Sequence, residues 1–124
     1  MKLIIAYVPF GVLARISSEL ETQEIHDVSV SMAHGFGREQ LGLQSARWEF
    51  KDIEHTKRLR IEFACHDDEV EQTLGTIYAT AHTGMPGNGS VFVVPIVDAL
   101  RLKTGERGCA ALGEPPCTHA PCQS

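Results

Sequence analysis

There is no surplus of positive charge in this sequence. Its 11 Lys and Arg face 16 Asp and Glu, for a formal net charge of -5, so no general attraction to nucleic acid or anionic lipid is expected. A long apolar run is also missing. The nearest approach, MKLIIAYVPFGVL, is broken by Pro9 and Gly11 too early for a signal peptide or a membrane span, and a cytoplasmic location is the expectation. Cysteine is scarce and uneven. Cys65 sits in an apolar run while Cys109, Cys117 and Cys122 crowd the last 16 residues, which excludes a disulfide scaffold. What is present, 124 residues of which 43% are hydrophobic, suffices for one domain with one core, and a chain this short gains from oligomerisation.

The apolar residues fall into a repeated strand and helix order. KLIIAYV at 2–8 reads as a buried strand, and Val12, Leu13, Ile16 and Leu20 recur at helical spacing after Pro9, predicting a helix of about four turns. HDVSVSM alternates as a half-buried strand does. From Gly35 to Thr56 the periodicity disappears, and a connection of roughly twenty residues without a core face is the length of a functional loop. RLRIEFAC is again an alternating strand. Asp68 and Glu71 resemble a capping box, and Val70, Leu74, Ile77, Tyr78 and Ala81 form one apolar stripe, predicting a helix over 68–82. VFVVPIV and ALRLKT follow. The fold class is α+β: a ferredoxin-like βαββαβ sandwich with an extra C-terminal strand. The Pro-, Gly-, Ala- and Cys-rich end predicts a domain over 1–108 and a flexible tail over 109–124.

The stretch HTGMPGNGSVFVVP, at 82–95, is built for close backbone approach. It follows a helix, precedes a strand and lacks the lysine of a phosphate loop of the Walker type. Its glycines permit positive φ and expose N–H groups that form a concave nest for anions; as a bare motif it is equally a plain helix-to-strand turn. Arg101 and Lys103, at i and i+2 of an expected strand, would add two cations on one face, or form a solvated edge.

GFGRE at 35–39, TGMPGNGSVFV at 83–93 and RLKTGERG at 101–108 together resemble the signatures of the PII signal-transduction family, in register and without a gap, over residues 1 to about 108. The resemblance implies a homotrimer binding adenine nucleotides in clefts between subunits, with a long T-loop, about 37–56 here, that touches a target protein. It implies that Gly35, Gly37 and Arg38 lie at one side of the cleft with Gly87, Asn88, Gly89 and Ser90 at the other. Arg101 and Lys103 would reach the phosphates, and Ser29 the adenine, from a neighbouring subunit. Arg47, Trp48 and Phe50 resemble an interface anchor set for the target.

Departures from the family pattern refine this expectation. Glu39, Gln40 and Leu41 replace the glutamine, lysine and glycine of nitrogen-sensing members. A carboxylate beside a dicarboxylate disfavours 2-oxoglutarate and leaves the need for Mg2+ open. Ser90 stands where a lysine closes the phosphate loop, tilting preference toward ADP or AMP over ATP. Lys51 and Glu49 occupy the positions of the modified tyrosine and serine, so neither covalent switch is present. Arg38, Glu39 and Arg58 would hold a small oxyanion, with bicarbonate as the expected second ligand. Cys117 and Cys122 have the spacing of the C-x4-C loop of PII-like proteins linked to bicarbonate uptake, although T-H-A-P replaces G-P-x-G. They form a disulfide, bind zinc or copper with His119, or are idle. The leading reading is a PII-like regulator of inorganic carbon uptake or carboxysome-linked fixation. Its T-loop would act on a target such as a bicarbonate transporter, through which alone it would meet a membrane. The alternatives are a nitrogen-type PII regulator answering to ATP, ADP and 2-oxoglutarate, and a metal-responsive binding protein. No enzyme is expected: His34, His55, His66 and His82 are scattered and no paired base is evident.

Overall fold

A computed structural model describes residues 1–25, 27–34, 57–82 and 89–113. Four strands, β1 (Lys2–Val8), β2 (Ser29–His34), β3 (Lys57–Cys65) and β4 (Ser90–Pro95), form one sheet in the order β2-β3-β1-β4. Every neighbouring pair is antiparallel. Helix α1 (Leu13–Thr22) connects β1 to β2, and α2 (Val70–Ala81) lies between β3 and β4. Each β-α-β unit therefore leaves room for one strand between its own two, which is the split arrangement of the ferredoxin-like α+β fold.

Alternation decides which sheet face meets the helices. Ile4, Ala6 and Val8 of β1 and Leu59, Ile61, Phe63 and Cys65 of β3 are buried beneath Val12, Ile16 and Leu20 of the first helical segment and Ile77 and Ala81 of α2. Register places Leu3, Ile5, Tyr7, Arg60, Phe92 and Val94 on the opposite face, where Phe92 and Val94 are exposed. β2 and β4 are the edge strands, and β2 carries little of the core. It is more exposed than a half-buried strand, since Val30 and Met32 both stand open to solvent.

Three sequence expectations are revised. The α2 start is capped at His66 and Glu69 rather than at Asp68 and Glu71: the His66 N–H donates to Glu69 Oε1 at 3.0 Å, and Asp67–Glu69 form a single 3-10 turn. The buried stripe of α2 runs through Thr73, Ile77 and Ala81, leaving Tyr78 65% exposed and stacked on His82. The expected C-terminal strand is a turn instead. Leu100 bridges Arg107 alone, the Gly105 N–H donates back to the Arg101 carbonyl at 2.7 Å, and a 3-10 turn, Gly108–Leu112, follows. Ordered chain thus continues past the expected boundary at 108, and Ala111 is buried.

Candidate functional site

At one end of the sheet β1 finishes while β3 and β4 begin. Val8 pairs with Leu59 and Tyr7 with Ser90, and Arg58 faces Ala33 near the end of β2. Gly89 has φ +97, and a Cβ there would meet the Tyr7 carbonyl oxygen at 1.6 Å. Backbone presses on backbone at this point, so only glycine fits. The segments 35–56 and 83–88 leave or enter the sheet at this same end. Gly35, Gly37, Arg38, Glu39, Gly87 and Asn88 lie outside the described residues, as do Arg47, Trp48 and Phe50.

Arg58 donates through one terminal nitrogen to the Lys57 carbonyl at 2.8 Å, and its Nε has no partner among the described residues. Beside it, sequence reasoning missed an ordered set on the open sheet face. Arg60 pairs with Glu62 and lies 5.9 Å over the Tyr7 ring, which meets Phe92 edge-on at 6.3 Å. Only the strand register brings these four together.

The opposite end of the sheet opens on a cavity of about 520 Å³ whose lining includes Asp27, Cys65, His66, Arg101, Lys103 and Ala111. The two cations do not sit at i and i+2 of a strand face; they share this cavity because the turn after Leu100 folds over it. Arg101 Nε donates to the Ala111 carbonyl at 2.9 Å, and its Nη2 lies 3.5 Å from the Asp27 carboxylate. An Arg107–Asp98 ion pair closes the turn. Arg107 and then the Ala99 N–H hold the Asp98 carboxyl below its usual range. Ser29 begins β2 two residues after Asp27, paired with Glu62. Burial, reinforced by the negative charge of Glu69, pushes the Cys65 thiol up to about 11, so it is protonated and inert at neutral pH. Cys65 is free and Cys109 is disulfide-bonded, whereas the sequence reading considered a disulfide only for Cys117 and Cys122, beside metal binding and idle thiols. Cys117, His119 and Cys122 lie outside the described residues.

The expected ligand residues are therefore split between two ends of one sheet. From Leu59 to Cys65 is six residues of β3, roughly 20 Å at strand rise, so one chain does not bring Gly89 and Ser90 to Arg101 and Lys103. Over residues 1–106 the sequence matches the family described as Nitrogen regulatory protein P-II. The chain belongs to the P-II family. It is 31% identical over 112 residues to the nitrogen regulatory protein P-II of Azospirillum brasilense, covering 90% of this chain and 100% of that one. To the protein of the same description from Nostoc punctiforme it is 29% identical over 100 residues, or 81% of this chain and 89% of the other. The crystal structure of Arabidopsis thaliana PII bound to citrate superposes with a TM-score of 0.71 at 31% identity, over 89% of this chain and 90% of that chain.

P-II proteins are regulatory signal transducers rather than enzymes. They bind adenine nucleotides and act on targets through the T-loop as homotrimers. Among the described residues of this P-II chain, no helix is long and apolar enough to cross a membrane, and no group of His, Cys, Asp and Glu is arranged to hold a metal ion.

Proposed function

We propose that this P-II protein is a homotrimeric sensor of adenine nucleotides, its site shared between the Gly89 and Ser90 end of one subunit and the Arg101 and Lys103 end of the next. The observation that carries the reading is the separation of those residues at opposite ends of one sheet. Half-sites at opposite ends complete one another when subunits join head to tail, and such an arrangement closes into a ring. Gly35, Gly37, Arg38, Gly87 and Asn88 belong to the first half-site, and Ser29 to the second. The exposed Phe92 and Val94 are the apolar surface that an obligate assembly covers. ADP or AMP is bound at least as well as ATP, because Ser90 supplies no cation to the terminal phosphate.

The second ligand in this reading is bicarbonate, held by Arg38, Arg58 and the Glu39 carboxylate, and the regulated process is inorganic carbon uptake or fixation through Arg47, Trp48 and Phe50 of the T-loop. The Arg58 Nε, without a partner among the described residues, supports an anion there, since a guanidinium edge matches a planar oxyanion. The relatives' description as nitrogen regulatory proteins favours a second reading, a nitrogen regulator, for which 2-oxoglutarate is the second ligand to test.

One titration separates them. ADP and ATP are titrated into wild type and Arg101→Ala in chloride, bicarbonate or 2-oxoglutarate at fixed pH and ionic strength. Arg101→Ala should weaken every nucleotide by about 1.5 to 3 kcal/mol, the value of a charge-assisted hydrogen bond. Bicarbonate should raise ADP affinity, and ADP must then raise bicarbonate affinity by the same factor. A larger gain with 2-oxoglutarate returns the protein to nitrogen sensing, and clear ATP preference defeats the argument from Ser90.

A further inference from the structure

We propose that His66 positions Arg101: it holds the C-terminal turn Gly108–Leu112 in place, and that turn fixes the guanidinium at the cavity wall. Any consequence for nucleotide affinity rests on the reading of that cavity as a nucleotide half-site.

His66 is rigid before it touches the turn. It is 5% exposed at the end of β3. Its N–H donates to Glu69 Oε1 and its carbonyl accepts the Glu69 N–H, each at 3.0 Å. From this anchor the ring reaches across 47 residues of chain, placing Nε2 at 3.2 Å from the Gly113 carbonyl. A carbonyl only accepts, so the ring proton is on Nε2. Nδ1 is buried on the capping-box side, beside Glu69, and has no hydrogen-bond partner among the described residues. Among those residues the ring's bond to a distant segment is the one to the C-terminal turn.

Two residues before Gly113, the Ala111 carbonyl takes the Arg101 Nε–H at 2.9 Å. Between them the Gly113 N–H closes the turn onto the Ala110 carbonyl at 3.2 Å, while Gly108 N–H bonds the Ala99 carbonyl at 3.0 Å. The carbonyl that orients Arg101 is thus held between the Gly108 bond behind it and the His66 bond ahead of it. Nε is committed to Ala111 and Nη2 lies near Asp27, which fixes the guanidinium in the cavity lining. An arginine without that fixed bond spreads over many rotamers, and a ligand must then immobilise it.

Gly113 offers a way to break the latch without touching the core. Its φ of +88 favours glycine, and a Cβ there would meet nothing within 4 Å, so Gly113→Val strains the turn without a clash at its Cβ. The experiment compares wild type with His66→Ala, His66→Gln, Gly113→Val, Arg101→Ala and the His66→Ala/Arg101→Ala double variant. Two readouts are taken: ADP affinity by calorimetry, and the arginine Nε–H cross-peak that Arg101→Ala abolishes in a 15N NMR spectrum. His66→Ala and Gly113→Val should each broaden that cross-peak and weaken ADP roughly 3- to 10-fold. His66→Gln, whose amide still donates, should lose much less. In the Arg101→Ala background the His66 change should cost nothing more. Independent, additive losses would mean that His66 touches the ligand itself, and overturn the proposal. So would a cross-peak that persists in Gly113→Val and in His66→Gln and His66→Ala alike. If His66→Ala does not fold, the Gly113 and Gln variants decide. Should wild type take up no ADP, the nucleotide reading fails, and the cross-peak alone upholds or overturns the positioning of Arg101.

Discussion

At the scale of single residues, two positions have roles set by what surrounds them. Gly89 is one: Gly89→Ala places a methyl group on the Tyr7 carbonyl at a φ that L-residues avoid. A loss of at least about 2 kcal/mol is expected, read as a lower urea midpoint at unchanged slope. Cys65 is the other. Its thiol, raised from an ordinary 9.0 to about 11, should react with iodoacetamide at pH 7.5 roughly 100-fold more slowly than a free cysteine. The folded state holds this proton more tightly than the unfolded one. Its contribution to stability is therefore complete below the unfolded value and is lost as pH rises from about 9 to about 11. Unfolding midpoints measured across that window in wild type and Cys65→Ala should converge toward the alkaline end. Gly89 was legible in the sequence as a glycine needing close approach, but not what it approaches. Tyr7 lies 82 residues away, and only strand pairing makes them neighbours.

Among the elements, α2 separates pattern from packing. Both Ile77 and Tyr78 fall on the stripe drawn from sequence, yet Ile77 is 2% exposed and Tyr78 65%. A stripe drawn from apolar letters is broad, and the sheet selects only the part of it that faces β1 and β3. Ile77→Ala should cost about 2–5 kcal/mol, while Tyr78→Ala, losing only the exposed stack on His82, should cost less than about 1 kcal/mol. Equal losses in thermal unfolding would contradict this packing. The first and third strands were readable almost to their ends, from an apolar run and from alternation, which are local signals, while the second begins three residues later than HDVSVSM suggests. The C-terminal strand was not. ALRLKT alternates as a strand does, but its chain turns at Thr104 and Gly105 and finds a single bridging partner in Arg107, and a strand without a partner has no ladder to hold it.

For the whole molecule, the proposed half-sites at opposite ends of one sheet make a prediction about mixtures. Arg38→Ala and Arg101→Ala each impair a different half. If each site takes Arg38 from one subunit and Arg101 from its neighbour, co-refolded equal mixtures should recover roughly a quarter of the intact sites, measured as high-affinity ADP stoichiometry. No recovery would place both arginines in one subunit. The sequence by itself determined the β-α-β order, the long interval at 35–56 and the three glycine-containing blocks that point to the P-II family, because each is written in neighbouring residues. Tertiary structure decided what local pattern does not encode. It set the sheet order that carries Gly89 and Arg101 to opposite ends and the register that stacks Arg60, Tyr7 and Phe92. It also set the hydrogen bond from His66 to Gly113, 47 residues on. Contacts at such separations depend on how the strands pair and on which face the helices cover, and those are choices made by burial of the entire core at once.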